Sequence, residues 1–206
     1  MTACASCGAD RTTPLGCEAC GVLFQLDGEP NPFEVFGREP AFALDQKAHK
    51  KRLLQLTRLC HPDHHGGSAA TRAEEHTALL NHAYEKLADE FLRADLLIAL
   101  SGGPAEAADR QMPPEFLMEV LEWNEHFDEV EATPVGSPER DALALMASDL
   151  KQRRAAVIGS VGAGLTPLPP HGDPILSSLR RELNAARYLT RALWRIRELR
   201  VAEAGA

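Results

Sequence analysis

Four of the five cysteines lie within the first twenty residues, and they constrain the fold of this segment more than any other feature of the chain. Cys4, Cys7, Cys17 and Cys20 form the pattern C-x2-C-x9-C-x2-C, and a glycine follows each pair. Two such pairs supply the four thiolates of a closed, tetrahedral metal site with metal–sulfur bonds of about 2.3 Å. The glycines allow sharp turns that point backbone N–H groups at the sulfurs. We therefore predict a small Cys4 metal-binding knuckle or ribbon, with structural zinc as the expected ion.

Other interpretations of the cysteines stay open. Iron could occupy the same four thiolates. Two disulfides would require an oxidising compartment, but the opening residues MTACASCG have neither the basic nor the apolar region of an export signal. A redox C-x-x-C pair would account for one pair, but two pairs with a glycine after each favour metal. Cys60 stands apart after an apolar helix, where a small buried hydrophobe is a better interpretation than a reactive thiol.

Composition favours a mostly helical protein. Aromatic residues make up 5% of the 206 residues, while Ala, Leu, Glu and Arg dominate long stretches with helical spacing. The net charge of −8 argues against a nucleic-acid partner bound through bulk charge. The longest uncharged run, Ala155 to Gly172, contains three prolines and four glycines and cannot form a membrane-spanning helix. We expect an all-α, cytoplasmic protein that binds neither nucleic acid nor membrane.

Two helices flank a polar loop in the middle of the chain. Asp45 is the expected N-cap of the first helix, in which Leu53, Leu56 and Cys60 form one apolar stripe. Its other face carries five basic residues, namely Lys47, Lys50, Lys51, Arg52 and Arg58. The loop has the sequence His61-Pro62-Asp63-His64-His65-Gly66-Gly67, and a second helix should begin near Ala70. Packed antiparallel, the two helices would hold the loop exposed at the tip of a hairpin.

The residues of the loop by themselves allow several interpretations. His61, Asp63, His64 and His65 could form a metal cluster or a general-base pair, and a basic helix face is usually a solvated surface. However, TRLCHPDHHGG between a basic helix and LNHAYEKL resembles a J-domain, with NPFEVFGREPAFALD resembling its short first helix and entry. The resemblance implies that His61, Pro62 and Asp63 stimulate ATP hydrolysis by a DnaK-type chaperone. It also implies that the basic face docks on that chaperone.

Three more helices are expected after Leu100. In the first, Phe116, Val120, Trp123, Phe127 and Val130 form a core stripe, and Pro113–Ala132 contains seven acids and no Lys or Arg. Ser137-Pro138 should begin the second helix, which is expected to fray near Gly159, where a Gly/Pro-rich linker over 159–174 follows. The last helix is rich in arginine, so the acidic and basic helices should pack together in a three-helix bundle.

The segment LNHAYEKLADEFLRADLLIALSG, followed by PPEFLMEVLEWNEHFDEVEA, is similar to the HscB family of iron–sulfur co-chaperones. The similarity covers about Pro32 to Ala132 well and Leu179 to Val201 loosely, and some members carry an N-terminal tetracysteine module. It implies that the C-terminal bundle binds the scaffold protein IscU and that the J-domain docks on a DnaK-type chaperone, HscA or its equivalent. By position, the scaffold-binding residues would be Leu117, Met118, Leu121, Glu122, Glu125 and Tyr188. Alternatively, Leu117, Met118 and Leu121 complete the core.

The expected domain organisation is a Cys4 module in 1–30, a J-domain in 31–104 and a scaffold-binding domain in 112–203 that contains the insert 159–174. Asn31-Pro32 marks a boundary, so the module should unfold independently of the J-domain. Glu90 stands where the family usually has a proline, and Leu96 where it usually has an aromatic residue. The helix from Ala70 is therefore expected to run unbroken to about Leu100.

These expectations combine into a non-enzymatic co-chaperone that couples ATP turnover by its partner to iron–sulfur cluster delivery. Two alternatives remain open at this point. One is a J-protein that uses the same loop with a different client. The other is a metal-binding regulator whose cysteine module recognises protein or nucleic acid.

Overall fold

The structure is a computed structural model that describes the backbone of residues 3–204. The described residues form seven α-helices, a single 3-10 turn and two isolated β-bridges, but no strand, so the predicted all-α class is confirmed. The chain divides into two compact units, Met1–Arg93 and Ala94–Ala206. None of the described helices combines the length and the apolar character needed to cross a membrane.

The first unit contains the cysteine module and the helices of the predicted J-domain. These are α1 (Pro32–Val35), α2 (Gln46–Leu59), α3 (Ser68–Ala88) and the first turn of α4 (Glu90–Leu100). Asn31 caps α1 in a capping box with Glu34, and the Asp45 carboxylate accepts the N–H groups of Lys47 and Ala48 at the start of α2 as predicted. The core of this unit includes Phe33, Phe36, Leu56, Leu80 and Leu87, each at most 1% exposed.

The expectation of an unbroken helix to Leu100 is wrong, because the helix breaks at Asp89. Asp89 has extended backbone angles, and its carboxylate accepts the N–H group of Leu92 in the first turn of α4. The buried Arg93 guanidinium donates to the carbonyls of Leu87 and Phe42, the first of which belongs to the last turn of α3. A side-chain cap and a buried arginine thus end α3 without proline.

The second unit contains the predicted three-helix bundle, formed by α5 (Pro114–Glu131), α6 (Pro138–Gly164) and α7 (Ile175–Ala204). Phe116, Phe127 and Val130 are buried, while Val120 and Trp123 pack against the same core, so the predicted stripe of α5 is confirmed. The side chain of Ser137 caps α6 as expected. Arg195 of α7 contacts Glu131 of α5 at 2.6 Å, which joins the basic and acidic helices.

The end of α6 differs from the expectation of fraying near Gly159, since the helix continues to Gly164. Gly159 does not break the helix, and Gly164 permits close packing against α7. A Cβ atom on Gly164 would lie 2.6 Å from Cδ2 of Leu179 on α7, so a larger residue there would force the Leu179 side chain to move. The helix then ends at Leu165, before the proline-rich part of the segment.

Two buried arginines hold the ends of the helices in this unit. Arg140 of α6 donates to the carbonyls of Glu131, Thr133 and Leu199, which lie at the C-terminal end of α5, just beyond it, and near the end of α7. Arg180 of α7 pairs with Asp95 and donates to the carbonyl of Pro104 at 2.8 Å. These bonds satisfy carbonyls that helix ends and loops leave without partners.

Candidate functional site

The four N-terminal cysteines sit on two turns of the same construction. The N–H groups of Cys4 and Cys17 donate to the carbonyls of Ala9 and Val22, and each turn closes with a glycine N–H bonded to a cysteine carbonyl at 2.8 Å. Gly8 and Gly21 adopt φ values of 74° and 77°, a region that favours glycine. The repeated C-x-x-C-G sequence therefore folds into two matching knuckles that face each other.

These knuckles bring the four sulfur atoms within 4.8 Å of one another. The Sγ atoms of Cys4 and Cys20 lie 3.9 Å apart and those of Cys7 and Cys17 lie 3.5 Å apart, while all four residues are free thiols. A tetrahedral ion with metal–sulfur bonds of about 2.3 Å separates its ligands by about 3.8 Å. The donor set and its spacing therefore fit one metal ion, and within the described residues this is the one cluster of its kind.

The cysteine module packs against the predicted J-domain helices. The hydroxyl of Thr13 donates to the carbonyl of Val35 at 2.7 Å, and Leu15 is fully buried. Glu18, which lies between the cysteine ligands, accepts two hydrogen bonds from the guanidinium of Arg52 on α2, at 2.6 and 2.7 Å. The hydrogen bonds from Arg52 lower the pKa of the Glu18 carboxyl. The module and α2 are therefore tied by a bidentate ion pair that joins residues 34 positions apart.

The His-Pro-Asp loop follows α2 and is exposed, as predicted. Pro62–His64 forms a 3-10 turn in which the N–H group of Asp63 donates to Nδ1 of His61 at 3.3 Å. The His61 side chain is 47% exposed and the Asp63 side chain is 86% exposed. These two groups can therefore reach a partner protein.

His64 and His65 hold the loop through ring nitrogens that contact α2, and the ring centre of His64 also lies 5.4 Å from that of His61. The Nδ1 atom of His64 contacts the carbonyl of Arg58, and Nε2 of His65 contacts the carbonyl of Leu59, at 3.0 and 2.8 Å. Both rings thus cap the last turn of α2, a role that the sequence pattern did not reveal. These contacts occupy one ring nitrogen each of His64 and His65, and the loop residues, all of which the structure describes, form no group of three metal-binding side chains.

The basic face of α2 is exposed except at one residue. The side chains of Lys47, Lys50, Lys51 and Arg58 are exposed, whereas Arg52 is partly buried and bound to Glu18. Arg52 is therefore held by the cysteine module. Because Arg52 and Glu18 are 34 positions apart, no short sequence pattern indicated this contact.

Cys60 is fully buried behind the loop, which confirms its interpretation as a small hydrophobe. Burial raises the pKa of its thiol to about 12. The thiolate is therefore scarce near neutral pH, and no reactive role follows.

Three large apolar side chains of α5 are exposed on the bundle. Leu117, Met118 and Leu121 are 47%, 62% and 57% exposed, so they do not complete the core. Glu122 and Glu125 are exposed on the same helix. Tyr188 of α7 is partly buried and packs against the bundle core, with the Arg191 guanidinium 5.1 Å from the centre of its ring. Monomeric proteins rarely leave clustered leucines and methionines uncovered, so this face is a candidate interaction surface.

Known proteins resemble the chain in both sequence and fold. The family model of the HSCB C-terminal oligomerisation domain matches residues 112–197. The co-chaperone protein HscB homologue of Mannheimia succiniciproducens is 30% identical over 141 residues, which are 66% of this chain and 79% of the relative. The homologue of Haemophilus influenzae is 32% identical over 133 residues, covering 62% and 74%. The human iron-sulfur cluster co-chaperone protein HscB is 31% identical over 129 residues, covering 61% and 55%.

Two solved structures share the fold. The crystal structure of human co-chaperone protein HscB superposes with a TM-score of 0.76 and 22% identity, over 97% of this chain and 99% of that chain. Chaperone HscB from Vibrio cholerae gives a TM-score of 0.68 and 20% identity, over 84% and 99%. At these identities the structural likeness supports the fold alone.

Proposed function

Because this chain belongs to the HscB family of co-chaperones, we propose that it serves iron–sulfur cluster biogenesis by linking an IscU-type scaffold to a DnaK/HscA-type chaperone. The observation that carries the proposal is the presence, in one chain, of an exposed His61-Pro62-Asp63 turn and an exposed apolar face on α5. Each surface is of the kind that a protein partner would cover. The chain itself performs no chemistry in this proposal and acts as an activator of its partner's ATPase.

His61, Pro62 and Asp63 are the proposed stimulating residues. Their support is local, since a 3-10 turn displays the two polar side chains while His64 and His65 anchor the turn to the last carbonyls of α2. A rigid loop lowers the conformational entropy lost on binding. The proposed activity therefore depends on a preformed and solvent-accessible turn.

The basic face of α2 is the proposed docking surface for the chaperone. Lys47, Lys50, Lys51 and Arg58 are exposed on a protein of net charge −8, so an acidic partner surface would select this face. Arg52 belongs to the predicted docking set, but its guanidinium is bound to Glu18. We assign Arg52 a supporting contact and leave the docking to the other four residues.

Leu117, Met118, Leu121, Glu122, Glu125 and Tyr188 are the proposed scaffold-binding residues. The exposure of the three apolar side chains supports this assignment, because a clustered apolar patch on a protein surface is typical of a site that a partner protein covers. The flanking carboxylates of Glu122 and Glu125 would add charge selectivity.

Cys4, Cys7, Cys17 and Cys20 are the proposed metal ligands, with zinc as the ion that suits four thiolates in a structural site. A bound ion would cross-link the two knuckles and hold Glu18 against α2. We propose a functional division into the module in 1–30, a J-domain in 31–104 and a scaffold-binding domain in 112–203 with its insert in 159–174. The cytoplasm is the proposed compartment, and neither nucleic acid nor membrane is a proposed partner.

The experiment that tests this function compares His61→Gln with a matched histidine on the same unit. His82 of α3 is exposed, and His82→Gln makes the same chemical change away from the loop. We expect His61→Gln to abolish stimulation of the chaperone ATPase, with scaffold binding unchanged and stability within about 0.5 kcal/mol of wild type. His82→Gln should stimulate like the wild type.

The readouts are single-turnover ATP hydrolysis by the partner chaperone and titration of the scaffold. Full stimulation by His61→Gln would contradict the proposal. A large drop in its melting temperature would instead identify His61 as a structural residue.

A further inference from the structure

Two small cavities adjoin each other on the second unit. One, of about 330 Å³, lies between α5 and α7 and is lined by apolar groups of Val120, Trp123 and Phe127. The other, of about 290 Å³, lies between α7 and the segment 106–110. Tyr188 and Arg191 line both cavities, so the cavities adjoin at these two residues, and we call the pair of cavities the α7 groove.

Arginines line the α7 groove, and two of them lack a carboxylate partner. Arg187 is bound to Glu106, and Arg195 contacts Glu131 at 2.6 Å. Arg110 and Arg191 are exposed and make no ion pair with any residue that the structure describes.

Carboxylates in the lining are few. They belong to Glu106, which is already bound, and to Asp128. The groove is therefore a locally positive surface on a chain whose net charge is −8.

The α7 groove begins where the exposed apolar face of α5 ends. Leu117 and Leu121 each precede a groove residue, Val120 and Asn124, by three positions, and residues three apart are neighbours on a helix surface. The acidic residues Glu122 and Glu125 lie on the far side of the leucines from the groove. The surface thus changes from acidic through apolar to basic across the two helices.

We propose that the α7 groove is the second part of the scaffold contact and receives an acidic segment of the scaffold, whose carboxylates bind Arg110 and Arg191. This inference rests on the proposed function and extends its contact from α5 to α7. A guanidinium binds a carboxylate through two parallel hydrogen bonds, which specifies orientation as well as charge. The acidic edge of α5 repels the same segment, so it can dock in one direction only.

Charge reversal in the α7 groove tests the proposal. Arg191→Glu places a negative charge in the groove, whereas Arg197→Glu makes the same change at an exposed position of α7 that lines neither cavity. We expect Arg191→Glu to weaken scaffold binding about tenfold and to reduce its salt dependence, while Arg197→Glu stays close to wild type. Arg191→Lys should restore part of the affinity. Equal affinity of Arg191→Glu and the wild type, measured by calorimetry, would overturn the proposal.

Trp123 supplies an independent readout, because it lines the groove and the chain contains only one other tryptophan, the exposed Trp194. In a Trp194→Phe background, scaffold binding should shift the emission of Trp123. If the scaffold binds without a change in Trp123 emission and binds Arg191→Glu with wild-type affinity, the role of the α7 groove is overturned while the proposed function stands. A wild-type chain that binds no scaffold would overturn the proposed function itself.

Discussion

Two buried histidines make the stability of the first unit sensitive to pH. His49 of α2 is fully buried between the rings of Phe36 and Tyr84, with ring centres 4.3 and 4.9 Å away. Neither ring nitrogen makes a hydrogen bond of good geometry. Burial, assisted by Arg38 and Arg93, lowers the pKa of His49, and burial likewise lowers the pKa of His76. Both side chains therefore fold in their neutral form.

We predict that the first unit loses stability as pH falls below about 6.5, the ordinary pKa of histidine. In that range the unfolded chain binds protons that the folded chain does not, so the free energy of unfolding falls with pH. His49→Phe, which keeps an aromatic ring in the stack, should reduce this loss, whereas His82→Phe at an exposed site should not. Hydrogen exchange of α2 and α3 amides between pH 7.5 and 5.5 measures the effect. Identical pH profiles for wild type and His49→Phe would contradict it.

Single-residue patterns predicted much of the local chemistry. The caps at Asp45 and Ser137 and the core stripe of α5 follow from short spacings that a helix imposes on its own sequence. The Arg52–Glu18 pair could not be predicted, because its partners are 34 residues apart and meet only when the module folds onto α2. A basic residue on a helix face looks the same in sequence whether it is free or already paired.

At the scale of elements, the cysteine module is part of the first unit. Thr13 donates to the carbonyl of Val35 at the end of α1, and Glu18 binds Arg52 of α2. Thr12 also approaches Gly37 so closely that a Cβ atom there would lie 1.8 Å from the Thr12 carbonyl oxygen. These contacts favour coupled rather than independent unfolding of the module and the helices.

We predict that the wild type binds one metal ion and that Cys17→Ser/Cys20→Ser loses both the ion and part of the hydrogen-exchange protection of α2. Metal binding should weaken as pH falls, because the four thiols must release protons. Cys60→Ala, which removes the cysteine outside the cluster, should keep a full equivalent of metal. Metal analysis measures the bound ion, and hydrogen exchange measures the protection of the α2 amides. Unchanged protection of α2 in the double variant would show that the module is separable.

Helix ends were harder to predict than helix positions. The break at Asp89 depends on a buried arginine that reaches the carbonyl of Phe42, 51 residues away in sequence. The extension of α6 to Gly164 depends on close packing against Leu179 of another helix. Both are tertiary contacts, which local glycine and proline content does not reveal.

At the scale of the whole molecule, each of the two units carries a candidate surface for a different partner. The first unit displays the His61-Pro62-Asp63 turn and the basic face of α2, and the second displays the leucines of α5 and the α7 groove. Motifs in the sequence predicted the turn, the basic face and the leucines, because the residues of each lie close together in the chain. The α7 groove was not predicted, because its residues come from three separate segments. A covalent link between two binding surfaces raises the effective concentration of one partner near the other. If the chain links the two partners, the scaffold must therefore change the response of the chaperone.

The most direct measurement is single-turnover ATP hydrolysis by the partner chaperone, with and without the scaffold, in the presence of wild type or Leu117→Ala/Leu121→Ala. We predict that the scaffold increases stimulation by the wild type and not by the double variant, whose scaffold-independent stimulation stays normal. Leu145→Ala, at a leucine of α6 that is 78% exposed, should behave like the wild type. An equal response of wild type and double variant to the scaffold would contradict the account.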